Sequence, residues 1–153
     1  MVEFVLVAPV MLVMLLGMID LGRAFVFGVS AQEAAREAAR LVSTSNYDSN
    51  VDDNAVLGRL IGAADPALGG CSASTASQTC NTGTWTLSIS IVSSTGTTYT
   101  SVASARTANA LPGAQATVTA SGQVALLPGF KTQLFGLALP QIGVQGQTTM
   151  VVL

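Results

Sequence analysis

The side chains able to do chemistry in this chain are few, and their spacing is unusual. Only 9% of the residues are charged, and histidine is absent. Glu3 is the one ionisable side chain among residues 1–19, a run otherwise made of apolar residues with one proline and one glycine. A carboxylate costs about 2.5–3.5 kcal/mol at mid-bilayer and less near the interface, so one kept in such a run usually has a cationic partner. Asp20 and Arg23 follow three residues apart, a spacing that lets them pair where a helix leaves an apolar layer. Glu33, Arg36, Glu37 and Arg40 recur at intervals of three and four, which predicts ladders of opposite charge on one helical face.

Other chemistries fit less well. Asp48, Asn50 and Asp52 alternate as the first ligands of a calcium loop do, but Asp53 and Arg59 stand where that loop requires Gly and Glu. The segment therefore reads as a polar loop in which Asp52 or Asp53 caps a short helix over residues 54–64, ended by Pro66, Gly69 and Gly70. Cys71 and Cys80 enclose eight residues with no C-x-x-C and no histidine, so a metal site is a poor reading. A local disulfide formed in an oxidising compartment fits better than the alternative, two buried free thiols. No histidine base, phosphate loop or G-x-S-x-G elbow is present, so neither an enzyme nor a cofactor is expected. With a single lysine, Lys131, and no basic stripe, a nucleic-acid partner is not expected either.

These groups need elements to hold them. At about 1.5 Å per residue, residues 1–19 in a helix span roughly 28 Å, close to the thickness of a bilayer's hydrocarbon. The helical pattern then continues to a polar cluster at residues 43–46, predicting one helix of roughly 42 residues bent by Pro9 and weakened by Gly17, Gly22 and Gly28. Ala31, Ala35, Ala38 and Ala39 give its second half a face that another backbone can approach closely. Its first half belongs in lipid or in the core of a filament.

Beyond the helix the chain reads as β-rich. Trp85, Leu87, Ile89 and Ile91 alternate with polar residues, as do Ala116, Val118 and Ala120. Residues 97–105 read as a hairpin partner, residues 109–113 as a break, and residues 130–139 as a short amphipathic helix or an apolar loop between Pro128 and Pro140. Ile142, Val144, Met150 and Val152 mark the inner face of a last strand. The fold class is α+β: a long hydrophobic N-terminal helix over residues 1–45, packed on a small antiparallel sheet domain over residues 46–153.

Glu3-Phe4, Pro9, Asp20-Leu21-Gly22-Arg23 and the alanine-rich stretch from Ala34 to Arg40 together resemble the TadE-like pseudopilins of tight-adherence (Tad) pili, within the type IV pilus superfamily. In that superfamily the acid is usually fifth from the processed end, whereas here it is third. The resemblance implies a pilin-like subunit assembling through its N-terminal helix, with Glu3, Met1, Phe4, Pro9, Gly17, Asp20 and Arg23 as assembly residues. It implies copies of the same chain and other pilus-assembly proteins as partners, and the cytoplasmic membrane, then the bacterial surface, as locations. TadE-like proteins are also regarded as low-copy pseudopilins that help to build a pilus, which gives a second reading. A membrane-anchored adhesin that never polymerises gives a third. Arg23, Arg36 and Arg40 follow the apolar run, which by the positive-inside rule places the second half of the chain in the cytoplasm, whereas a disulfide places it outside. A short basic leader, removed during maturation, reconciles the two.

Overall fold

The computed structural model of the chain describes residues 2–125, 133–134, 137–138 and 141–153. Its first element, α1 (Val2–Ser43), is a 42-residue helix that runs on through Pro9, Gly17, Gly22 and Gly28. The helix stops at the expected polar cluster because hydroxyls there capture its last carbonyls. Ser43 Oγ donates to Arg40 O at 2.7 Å, and Thr44 Oγ1 donates to Leu41 O at 2.9 Å. Asp52 then caps α2 (Asp53–Ala63), its carboxylate accepting the Ala55 N–H at 2.7 Å. A short helix, α3 (Asp65–Leu68), leads to the strands.

β1 (Gln78–Cys80), β2 (Gly83–Val92), β3 (Thr98–Tyr99), β4 (Gln115–Ala125) and β7 (Gln141–Val151) form one antiparallel sheet in the order β1-β2-β4-β7, with β3 also on β2. The fold is thus α+β, as the alternating patterns predict. Cys71 and Cys80 are joined in a disulfide beside β1. The Gln78 side chain ties the loop they enclose by bonding both the N–H and the C=O of Ser72.

Two expectations change. Only Thr98 and Tyr99 of residues 97–105 pair with β2. From Val102 the chain turns into a helix, α4 (Val102–Thr107), because Ser101 Oγ accepts the Ser104 N–H and Asp53 Oδ1 takes the Val102 N–H at 2.6 Å. Capping side chains, one of them 49 residues away in sequence, override the strand pattern there. Of residues 130–139, the described positions form two short paired strands, β5 (Gln133–Leu134) and β6 (Leu137–Ala138), rather than a helix. Pro128 and Lys131 lie outside the described residues.

The core lies between one sheet face and the second half of α1. Trp85, Leu87, Ile89, Ile91, Ala116, Val118 and Ala120 are buried against Ala31, Ala34, Ala35, Ala38 and Ala39. Small residues decide how close the layers come. A Cβ on Gly146 would sit 2.3 Å from the carbonyl carbon and oxygen of Ala31, so β7 runs in near-contact with the helix backbone. A Cβ on Gly122 would enter the Trp85 ring, which lies across β4 and donates from Nε1 to Thr82 Oγ1 at 2.9 Å. Beside Gly146, the Gln32 amide donates to Gln147 O at 2.8 Å and accepts the Gln147 N–H at 3.1 Å. One side chain thereby satisfies both backbone groups of a residue on the free edge of the sheet.

At the far end of α1, one guanidinium holds the connection to α2. Arg106 on α4 donates to the carbonyls of Ser45, Asp48, Ser49 and Val51 at 2.8–3.2 Å. Four acceptors that would otherwise need water or a cation are met by one charge-assisted donor set. Arg106→Ala is expected to cost about 3 kcal/mol, because several bonds of about 1.5–3 kcal/mol each are lost non-additively. Chemical denaturation of the two proteins measures the difference.

Candidate assembly site

The functional candidates of the sequence fall on one feature, the half of α1 that the sheet does not cover. Phe4, Val5, Leu6, Val10, Met11, Leu12, Val13, Met14, Leu15, Met18 and Ile19 are all exposed, Phe4 at 77%. Pro9, Gly17 and Glu3 are exposed with them. This segment is long and apolar enough to cross a membrane. Met1 lies outside the described residues.

The apolar run ends where the sheet begins. Asp20 is 8% exposed, and the Arg23 guanidinium stands 4.0 Å from its carboxylate. Arg23 also lies over the Phe27 ring, 5.8 Å from its centroid, and Phe27 is buried in the core. The structure therefore brings Asp20 and Arg23 together, at the level where α1 passes from full exposure to packing. Glu3 and Phe4 lie less than two turns from Pro9 towards the start of the helix and far from this pair, about 25 Å along the axis.

The charge ladder of the second half is only partly as expected. Arg36 and Glu33 approach at 3.6 Å. Glu37, however, turns to Arg59 on α2, 2.6 Å away, a partner that the local spacing of three and four gave no reason to name. Both residues of that pair lie on the packed half of the molecule, outside the apolar segment. The hydrogen bond and charge of Arg59 hold the Glu37 carboxyl below its ordinary value of 4.5, with a smaller contribution from Arg40. The folded state therefore binds this proton more weakly than the unfolded state. The contribution of the pair is complete above the ordinary carboxylate value and fades as the pH falls through the lowered one. Thermal midpoints of the native protein and of Glu37→Gln are expected to differ at neutral pH and to converge as the pH falls through the lowered value of Glu37.

Asp48, Asp52 and Asp53 each have a local task. They accept the N–H groups of Asn50, Ala55 and Val102 respectively. Among the described residues no group of three His, Cys, Asp or Glu side chains comes together as a metal would require. Gln32, Arg59, Arg106 and Gly146, which tie the helix and its following loop to the rest, were not singled out by the sequence. Of these, Gly146 alone carries a readable signal, since a glycine inside a strand pattern marks a close backbone approach.

No curated protein and no solved structure matches this chain. A family model does, over residues 1–40, the helix just described up to its last turn. The matched stretch contains the residues on which the resemblance rests, Glu3-Phe4, Asp20 to Arg23 and Ala34 to Arg40. Over this N-terminal segment, about a quarter of its length, the chain is similar to the family described as TadE-like protein.

Proposed function

We propose that this chain is a structural, pilin-like subunit that leaves the cytoplasmic membrane and polymerises into an extracellular filament on the bacterial surface. Residues 1–45 are its membrane and filament-core helix, and residues 46–153 its outward domain. The observation that carries this reading is the bare apolar half of α1, exposed over residues 4–19 and continuous with a helix whose other half is sealed against a sheet. Apolar surface on that scale needs lipid before assembly and sister helices after it. Copies of the same chain are then the main partners, together with the proteins that extract and add subunits.

Glu3 makes the exchange selective. Near the membrane boundary its carboxylate is tolerable, but in a filament core it needs a cation within a few ångströms. The α-amino group of Met1, from the same or a neighbouring chain, is the nearest in sequence. Phe4 supplies apolar contact, Pro9 and Gly17 let the rod adjust, and Asp20 with Arg23 marks the upper limit of the apolar layer.

The family match supports a second version, in which the same chain is a low-copy component that helps to build a pilus. Shearing cells, imaging the released material and quantifying the subunit by mass spectrometry separates the two. A fibre made mainly of this chain supports the first version, and a trace component of a fibre made of another subunit supports the second. A detergent-extracted monomer with no sheared fibre would instead mark an anchored adhesin and would overturn both.

A further inference from the structure

The apolar surface of α1 does not stop where a bilayer would. Residues 2–19 of the helix already span about 27 Å, most of the roughly 30 Å of a hydrocarbon core. Asp20 and Arg23 set the boundary there. Yet Leu21, Phe25 and Val29, at helical spacing, continue the stripe at 64%, 72% and 46% exposure. Phe25 stands about 9 Å and Val29 about 15 Å above Ile19, beyond the roughly 5–7 Å of a headgroup layer. Lipid that covers residues 2–19 leaves this upper stripe bare.

The stripe forms one wall of a groove of about 780 Å³, whose other wall is Ile142 and Val144 of β7. Glu33 and Arg36 close its upper end. Gln32 and Gln145 also line it, but between Leu21 and Val29 its walls are mainly apolar, so its occupant must be apolar and uncharged over a little more than two helical turns.

Resting on the filament reading above, we infer that this groove is the seat for the leading helix of a second copy of the chain. Residues 4–19 of that copy are an exposed apolar helix with no charge, the chemistry that the groove requires. Parallel helices related along a fibre can fill levels 21–29 with residues 4–19 only at offsets of roughly 10 to 17 residues, about 15–26 Å. The shortest offset sets Met11 to Ile19 of the seated copy against Leu21 to Val29. It also brings that copy's Arg23, 40% exposed, level with Glu33, 67% exposed. A guanidinium thus arrives beside a carboxylate whose ion-pair partner among the described residues is Arg36 at 3.6 Å. That charge match selects the short offset of about 15 Å.

Paired cysteines test the seat, because the two native cysteines are already bonded to each other. Phe25→Cys is combined with Leu15→Cys in one full-length chain, and in a second chain with Val10→Cys. Within one helix these positions are about 15 Å and 22 Å apart, too far for a disulfide, so any bridge joins two chains. Mild oxidation of sheared fibres is expected to give a ladder of covalent multimers, strongest for the Leu15 pair. Phe25→Gln is expected to lower fibre yield at least tenfold without changing the thermal midpoint, while Tyr47→Gln, at the opposite end of the domain-packed helix, leaves yield unchanged. Fibres that form normally from Phe25→Gln, with both cysteine pairs remaining monomeric, overturn the seat and leave the filament reading standing. A Phe25→Cys thiol shielded from water-soluble maleimide equally in membrane-inserted monomer and in fibre assigns the stripe to lipid and also overturns it. If the native chain forms no fibre at all, the filament reading fails first.

Discussion

Glu3→Ala is expected to leave membrane insertion intact and to abolish fibres. Alanine is at least as compatible with hydrocarbon as a carboxylate, so insertion of residues 2–19 does not suffer. In the proposed filament core the same change would remove one partner of a buried ion pair, at a cost of about 3–5 kcal/mol because the remaining charge would be left without compensation. At about 1.4 kcal/mol per factor of ten, that would be a loss of roughly 10² to several times 10³ at every subunit addition. Polymers multiply such a penalty along their length. Fractionation of cells measures insertion, and shearing followed by immunodetection measures fibre yield. Full yield from the alanine variant would remove Glu3 from the assembly mechanism, and a variant absent from the membrane fraction would move its role to insertion.

The second large effect concerns the joint between rod and sheet. Gly146→Ala is expected to destabilise the folded chain by about 3 kcal/mol or more, near the upper range for overpacking. The added methyl would stand 2.3 Å from the Ala31 carbonyl and 2.6 Å from the Gln32 nitrogen, all of it backbone that cannot rotate aside. Either the helix lifts from β7 or the strand bends. Both would disturb the bond from Gln32 to Gln147 in the same movement. For a chain of this size the thermal midpoint should fall by about 6–12 °C. Gly143→Ala in the same strand is the control, since a Cβ there meets nothing within 4 Å. Equal shifts for the two variants would mean that the close approach is not what limits stability.

Much of this architecture was legible in the sequence because it rests on periodicity. The 42-residue helix follows from an uninterrupted apolar and then alanine-rich pattern, and β2, β4 and β7 follow from strict alternation. The pairing of Asp20 with Arg23 was legible for the same reason, being a contact of spacing three. What escaped depends on residues distant in sequence. The turn from β3 into α4 is fixed by Asp53, and the choice of Arg59 by Glu37 needs α2 folded back along α1. The Arg106 clamp spans 55 to 61 residues, a range over which no local pattern carries information. Of the candidate assembly residues, Glu3, Phe4, Pro9 and Gly17 were recognised from composition and family resemblance, and a single chain shows them exposed without showing what they meet.

In the filament proposed above, the Gln32 clamp would have a further consequence. β7 is an outer strand of eleven residues with neither charge nor proline to discourage a newcomer. Domains held side by side at high local concentration would, with that rim open, be free to zip together out of register and glue neighbouring fibres into mats. By filling the Gln147 rung with an amide from its own helix, the molecule interrupts such a zipper midway. In the proposed filament, sideways adhesion would thereby be discouraged, with growth along the axis left to the greasy rod.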